Sequence, residues 1–289
     1  MKIMFVCTGN TCRSPMAEGI FSQMIKEENL RDIEVSSGGL LAFSGDEVTN
    51  YAVKAAMKYG ADISSHRSRG VDHRDLTDTD LFVCMTRGHE EHLLDFLPRE
   101  RVCVLGGGIS DPFGYDEETY ERCAGEIYES LKELLKELKS AVLVSKMTAE
   151  DIKEIALIEK ECFSSPWSER SLEEELHNEN AFFLKAVCKN KVTGYIGVHS
   201  TAGECYIDNI AVKKIERKKG TGSKLLDRAI RDAILRRDEF ISLEVRKSNE
   251  EAVRLYSRFG FEKAGERKNF YSDPPEDGDI MTLKLKVEE

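Results

Sequence analysis

Residues 2–15 read Lys-Ile-Met-Phe-Val-Cys-Thr-Gly-Asn-Thr-Cys-Arg-Ser-Pro. Lys2–Cys7 is a short, nearly continuous apolar run, the pattern of a strand buried on both faces. Pro15 suits the first turn of a helix, and the amphipathic run beyond it continues to about Asn29. Cysteine, five residues and then arginine, between a strand and a helix, make a loop whose backbone N–H groups converge on one tetrahedral anion. Gly9 reads as the residue that permits a positive φ there. A thiol at a helix N-terminus, beside a guanidinium and a hydroxyl, ionises readily. Cys7 is therefore expected as a nucleophile, near Arg13 and Ser14. The planar fork of Arg13 suits two phosphoryl oxygens. Thr8, Gly9, Asn10, Thr11, Cys12, Arg13 and Ser14 together form the expected phosphate-binding loop.

Outward from this loop, strand and helix alternate. Strands are expected at residues 33–36, 81–85 and 101–105, and helices at 50–59, ended by Gly60, and at about 117–139. The last carries Ile127, Leu131, Leu134, Leu135 and Leu138 on one face. This alternation implies an α/β doubly wound parallel sheet of four strands, which gathers ligands at the carboxyl ends of its strands. Attack of a thiolate on phosphorus needs a general acid for the leaving group, worth about 10²–10⁴-fold. Ser110-Asp111-Pro112-Phe113-Gly114 follows the strand at 101–105, so Asp111 is placed on the same edge as Cys7.

Ser140 marks a change of pattern, and two domains are expected, at residues 1–139 and 141–289. Beyond it, a strand at 141–145 precedes Thr148 and Asp151, which have capping-box spacing before a new helix. Further strands are expected at 181–188, 192–199, 205–212, 240–245 and 280–286, with helices at about 168–175, 223–237 and 250–259. Adjacent strands with segregated helices indicate an α+β sheet. After the strand at 205–212 comes Arg217-Lys218-Lys219-Gly220-Thr221-Gly222, and then a helix. Two glycines let a ligand approach the backbone, the helix start offers N–H groups to a pyrophosphate, and the lysines add counter-charge.

Composition limits the alternatives. The 289 residues carry a formal charge of −11, with 16 Lys and Arg against 25 Asp and Glu in residues 1–140, and 26 against 28 beyond. Neither half has the basic surplus of a general nucleic-acid binder. Eight cysteines without a recognisable secretory signal do not suggest a disulfide framework, and Cys7 and Cys12 have no histidine at ligand spacing, so no metal is expected. With no apolar run of membrane-spanning length, the chain reads as cytoplasmic with no membrane partner.

Residues 1–139 resemble the low-molecular-weight protein tyrosine phosphatase family, through Val6-Cys7-Thr8-Gly9-Asn10-Thr11-Cys12-Arg13-Ser14-Pro15, the pair Ser37-Gly38 and the loop at Asp111-Pro112. They are similar in detail to its protein-arginine phosphatase branch, which carries threonine, here Thr11, where tyrosine phosphatases usually carry a bulky aliphatic. That branch also has Asp-Pro-Phe-Gly in place of an aromatic pair after the proline. The resemblance implies a phosphatase I-like fold without a cofactor. By it Cys7 is nucleophile, Arg13 clamp, Ser14 donor to the thiolate, Asn10 loop organiser and Asp111 general acid. It also implies that Cys12 forms a reversible disulfide with Cys7 under oxidant.

Residues 145–286 resemble the GNAT acetyltransferase superfamily in their order of strand, pyrophosphate loop, second strand and tyrosine-bearing helix. They are most similar to its ribosomal-protein-alanine N-acetyltransferase (RimI) type. Phe163, Pro166-Trp167-Ser168, Asp208-Asn209-Ile210-Ala211-Val212, Leu243-Glu244-Val245-Arg246, Asn269-Phe270-Tyr271 and Asp279-Ile280-Met281 carry that likeness. It implies a GNAT acyl-CoA N-acyltransferase fold with acetyl-CoA as co-substrate. Ile210, Ala211 and Val212 would hold the acetyl and pantetheine portion, Arg217–Gly222 the pyrophosphate, and Asn249 a further part of the cofactor. An α-amine of pKa about 7.7–8.0 needs modest help to lose its proton, for which Glu244 stands ready, while Tyr256 would protonate the departing thiolate.

The expected whole is a bifunctional enzyme acting on phosphorylated proteins and on a ribosomal protein N-terminus. Phosphoarginine is favoured over phosphotyrosine. A tyrosine phosphatase fused to an acetyltransferase of other amine specificity, or one half serving only for sensing or docking, are the competing readings.

Overall fold

The computed structural model describes residues 1–285 and divides into two compact units, Met1–Ala141 and the chain from Val142 on. In the first, β1 (Lys2–Cys7), α1 (Arg13–Glu27), β2 (Glu34–Gly39), α2 (Asn50–Met57), α3 (His73–Asp78), β3 (Leu81–Cys84), α4 (Arg87–Leu94), β4 (Val102–Val104) and α5 (Glu117–Ser140) follow in order. The sheet order is β2-β1-β3-β4, every pair parallel. Helix α1 packs on one face of β1 and α4 reaches the cluster on the other, so both faces are buried, which is why its sequence is apolar without alternation. Phe5 meets Phe21 of α1 edge to face at 5.7 Å. Met4, Val6, Phe82, Cys84, Leu93 and Val102 form a second buried cluster. Ile127 and Leu131 of α5 are fully buried, each worth about 1.5–3 kcal/mol relative to exposure. Asp116 caps α5, its side chain accepting from Thr119 N at 3.0 Å.

The second unit contains β5 (Leu143–Lys146), α6 (Ile152–Cys162), α7 (Glu169–Leu176), β6 (Ala181–Cys188), β7 (Lys191–Thr201), β8 (Glu204–Val212), α8 (Thr221–Leu235), β9 (Phe240–Arg246), α9 (Glu250–Arg258), β10 (Glu262–Ser272) and β11 (Pro275–Lys284). Among the described residues these make a seven-stranded sheet of order β10-β11-β9-β8-β7-β6-β5, antiparallel except for β8 with β9. One apolar cluster joins this sheet to α8 and α9 through Ile207, Leu226, Leu243 and Tyr256. A second joins it to α6 and α7 through Ile155, Ile158, Leu172 and Tyr195. The capping box of Thr148 and Asp151 is formed.

Elements differ from the sequence expectation where polar residues dominate. Helices α3 and α4 and strand β10 escape a hydrophobic-pattern reading, because α3 buries no side chain and β10 reads Glu-Lys-Ala-Gly-Glu-Arg-Lys-Asn-Phe-Tyr-Ser. The first helix begins at Arg13, before Pro15. The last strand begins five residues before Ile280, and Lys286, its expected end, lies outside the described residues.

Gly39, the last residue of β2, fixes how closely the neighbouring loop can approach. A Cβ there would lie 2.6 Å from Thr8 O and 3.0 Å from Asn10 N. Since backbone rather than a flexible side chain is in the way, Gly39→Ala is expected to destabilise the first unit by about 1–3 kcal/mol. It should also shift the amide resonances of Thr8 and Asn10. Chemical denaturation and amide spectra check both outcomes.

Candidate active sites

The first site forms where β1 ends between two parallel neighbours. Cys7 is buried, its Sγ 2.9 Å from Ser14 Oγ, and Asn10 N donates to the sulfur at 3.2 Å. The positive φ of the loop falls on Asn10 (+56°), and Gly9 is not in the left-handed region, contrary to the sequence expectation. Asparagine tolerates that conformation, and here its side chain holds it in place. Asn10 Nδ2 donates to Ser14 Oγ at 3.0 Å and Ser37 Oγ at 2.8 Å. Its Oδ1 accepts from Arg69 N at 2.9 Å and lies 3.1 Å from His66 Nε2. Ser37 Oγ in turn donates to Glu18 at 2.6 Å. Asn10 is thus fixed by α1, β2 and the segment before α3.

Arg13 is buried at the start of α1 and reaches Asp111 Oδ2 at 2.6 Å and Ile109 O at 3.4 Å; its Nε has no partner. The structure therefore brings Asp111 to the mouth of the loop, its side chain half exposed. Thr8 Oγ1 lies 2.9 Å from His89 Nε2, whose Nδ1 is 3.0 Å from Thr86 Oγ1. Burial first, then the nearby Arg13 guanidinium, push the imidazole of His89 down to about 4, with Asp111 opposing. Cys12 is a buried free thiol, pushed up to about 11 by burial and then by Cys7.

The second site forms where two strands part. Parallel pairing of β8 with β9 runs to Ile207↔Leu243, whereas β8 stays paired with β7 as far as Val212↔Gly194. The backbone of Ile210, Ala211 and Val212 thus lies beyond the β8–β9 pairing, and an N–H or C=O on that side is available to a ligand. Beyond β8 the chain turns through Lys218 (φ +62°) and Gly220 (φ +85°) into α8. A Cβ on Gly220 would meet no heavy atom within 4 Å, so the turn is open. The buried Thr221 Oγ1 has no partner.

The side chains of the turn are engaged locally. Arg217 donates to Val212 O at 3.1 Å and to Cys162 Sγ at 3.5 Å, Lys218 pairs with Glu251 and Lys219 with Glu216. Asn249 caps α9, accepting from Ala252 N at 3.2 Å.

Glu244 of β9 is almost fully buried; its Oε1 lies 3.0 Å from Arg267 Nε and its Oε2 has no partner. Burial raises its carboxyl above the usual range, with Arg267 opposing. Tyr256 is buried against Phe261, and burial raises its hydroxyl well above the ordinary value. Tyr271 interacts electrostatically with both Glu244 and Tyr256, and Arg246 lies over its ring at 4.1 Å. Glu159, fully buried, accepts from Trp167 N at 2.7 Å, from Asn209 Nδ2 at 3.1 Å and from Tyr195 Oη.

His66, Arg69, Glu18, His89, Glu159 and Arg267 were not singled out from the sequence. All but Glu18, four residues beyond Ser14, are remote in the chain from the loop or strand they support. Among the described residues no cluster of His, Cys, Asp and Glu could hold a metal ion, and no helix is long and apolar enough to cross a membrane.

The sequence profile of the Low molecular weight phosphotyrosine protein phosphatase family matches residues 2–144, and that of the Acetyltransferase (GNAT) family matches residues 152–261. A protein-arginine-phosphatase of Bacillus subtilis is 34% identical over 148 residues, 48% of this chain and 97% of its own. A low molecular weight protein-tyrosine-phosphatase of Staphylococcus epidermidis is 32% identical over 136 residues, 45% of this chain and 93% of its own. A putative [ribosomal protein bS18]-alanine N-acetyltransferase of Bacillus subtilis is 36% identical over 149 residues, 51% of this chain and 99% of its own. With relatives this similar covered almost end to end, the chain belongs to two families, the low molecular weight phosphatases in its first half and the GNAT acetyltransferases in its second.

Proposed function

We propose that the first unit hydrolyses phosphoarginine in proteins and that the second transfers acetyl from acetyl-CoA to an N-terminal alanine, in the manner named for the two Bacillus subtilis relatives. The observation that carries the phosphatase reading is Cys7 Sγ within reach of Ser14 Oγ and Asn10 N, with Arg13 and Asp111 joined across the loop. The Asn10 N–H and the Ser14 hydroxyl flank the Cys7 sulfur, which is the nucleophile. Its attack forms the S–P bond as the P–N bond of phosphoarginine breaks, and Asp111 gives its proton to the departing guanidine nitrogen. Asp111 then takes a proton from water, which attacks phosphorus and releases Cys7 and inorganic phosphate. The NH groups of Arg13 hold the equatorial oxygens throughout. Thr11, a small hydroxyl-bearing residue in the loop, supports the arginine preference over tyrosine.

For acetyl transfer, Glu244 accepts the proton of the α-ammonium and the freed amine attacks the thioester carbonyl; as the C–S bond breaks, Tyr256 protonates the coenzyme A thiolate and regains its proton from the nitrogen that becomes the amide. A buried carboxylate with one unpartnered oxygen suits a base, and a tyrosine raised by burial stays a donor at neutral pH. Ile210–Val212 and the turn Arg217–Gly222 would take the acetyl-pantetheine and the pyrophosphate. Since Arg217 is turned inward onto Val212 O, the open backbone at Gly220–Gly222 is the better candidate for the phosphate contact.

Cys7→Ser is expected to abolish phosphate release while sparing acetyl transfer, and Glu244→Gln the reverse; paired assays on the full chain check this. A half that turned over no substrate at all would support a sensing or docking role for it. Phosphoarginine peptide is expected to be hydrolysed faster than phosphotyrosine peptide, and Thr11→Ile should move the preference toward tyrosine; parallel kcat/KM measurements decide. Because Glu244 acts ionised and its folded value is raised, kcat/KM for acetyl transfer should fall as pH drops through that raised value. A pH–rate profile of the wild-type chain checks this acid limb.

A further inference from the structure

Three charged groups meet at the point where β8 and β9 part, and none belongs to the chemistry above. His199 of β7 has Nδ1 2.5 Å from Asp208 Oδ2 and Nε2 2.9 Å from Glu175 Oε2. Glu175 lies in the last turn of α7, and Asn178 Nδ2 donates to the same Glu175 oxygen at 2.9 Å while lying 3.2 Å from His199 Nε2. Asp208 is the extra residue of a β-bulge: Gly197 pairs with Asn209 and Val198 with Ile207, leaving Asp208 without a partner across the ladder. The bulge directly follows Ile207, the last residue of β8 paired with β9, and directly precedes Asn209–Val212. Successive residues then reach the same helical layer, Asp208 through His199 to α7 and Asn209 to Glu159 of α6.

We infer that His199 is a positioning residue of the acetyl-transfer site, an imidazolium that ties the bulge at Asp208 to α7 and so fixes where the backbone of Asn209–Val212 leaves the sheet. The inference rests on the acetyltransferase reading of that backbone. An imidazole with a carboxylate at each nitrogen donates to both only when doubly protonated. The neutral ring must give up one of these bonds and leaves two carboxylates, Asp208 and Glu175, facing each other through it. These two are the charged groups that face the ring, from β8 and α7. They raise the imidazole above its ordinary value even though burial acts the other way. The clamp is therefore present below the folded value, which lies above the ordinary imidazole one, and is lost as pH rises through it. Loosening the bulge displaces the unpaired backbone, so the effect falls on cofactor affinity and spares the proton transfers of Glu244 and Tyr256.

The test is titration calorimetry of acetyl-CoA into the full chain from about pH 7 to about pH 9.5, with acetyl-transfer kinetics alongside. Wild type is expected to lose affinity on the alkaline side. His199→Gln, which carries no charge, should bind about tenfold more weakly at pH 7, the scale of one charge-assisted hydrogen bond. It should also lack the alkaline decline, and show a raised KM for acetyl-CoA with kcat nearly unchanged. His199→Arg, cationic throughout, should restore affinity and keep it across the range. Asp208→Asn should reproduce the His199→Gln behaviour. Wild-type affinity and pH dependence in His199→Gln, or a loss in kcat with KM unchanged, overturns the inference while leaving acetyl transfer intact. Failure of His199→Arg to restore binding in a folded protein also overturns it. A wild-type chain that binds no acetyl-CoA overturns the acetyltransferase reading and this inference together.

Discussion

Past Ile207, strand β8 keeps its neighbour on one side and loses the other. A backbone N–H or C=O that leaves a ladder must find another partner or face a ligand, because leaving it unmet costs roughly the desolvation of the group. The same constraint governs the exit of β1. Its pairing ends at Val6 with β3 and at Cys7 with β2, and the loop that follows turns an amide toward the sulfur while α1 supplies the free N–H groups of its first turn. Both sites are built from main chain that a sheet has stopped using, at the carboxyl end of a strand and the start of a helix. Side-chain chemistry is then added to a cup that the backbone has shaped.

Such main chain has to be held open, and buried polar side chains do this. In the first unit the amide of Asn10 ties the loop to Ser14, Ser37, Arg69 and His66, and Glu18 anchors Ser37 behind it. In the second, Glu159 binds Asn209 and Trp167 N together, fixing the start of the open strand against the loop between α6 and α7. A partly satisfied network of this kind would be worse than an apolar filling, so its members act as a set. Glu244 stands apart. One of its buried oxygens has no protein partner, as suits a group whose partner arrives with the substrate.

Local sequence carried the loop Cys7–Ser14, the strand before it and the amphipathic α5, because each declares itself over consecutive residues or a single apolar stripe. Phosphatase and acetyltransferase membership was legible for the same reason, in Cys7–Pro15 and in the run from Asp208 through Gly222 to Tyr256. Helix α4 was not legible. It buries His89, Glu90 and Leu93, two of them residue types that usually mark a solvent face. The supports of the site were hidden by distance along the chain: His66 is 56 residues from Asn10, and His89 is 81 from Thr8. The left-handed residue was misplaced by one position because glycine is the default for that conformation. The bonds that let Asn10 adopt it come from elsewhere in the fold.

The contact between Arg13 and Asp111 gives the phosphatase half an interlock. On the proposed mechanism, the guanidinium that grips an incoming dianion is the same group that detains the carboxyl needed to finish the reaction. An anion that takes over the arginine displaces that carboxyl toward the leaving group in the same event. Seating the substrate and arming the proton donor are thus one motion. A small oxyanion that occupies the clamp without a leaving group releases Asp111 to no purpose, and so acts as a decoy.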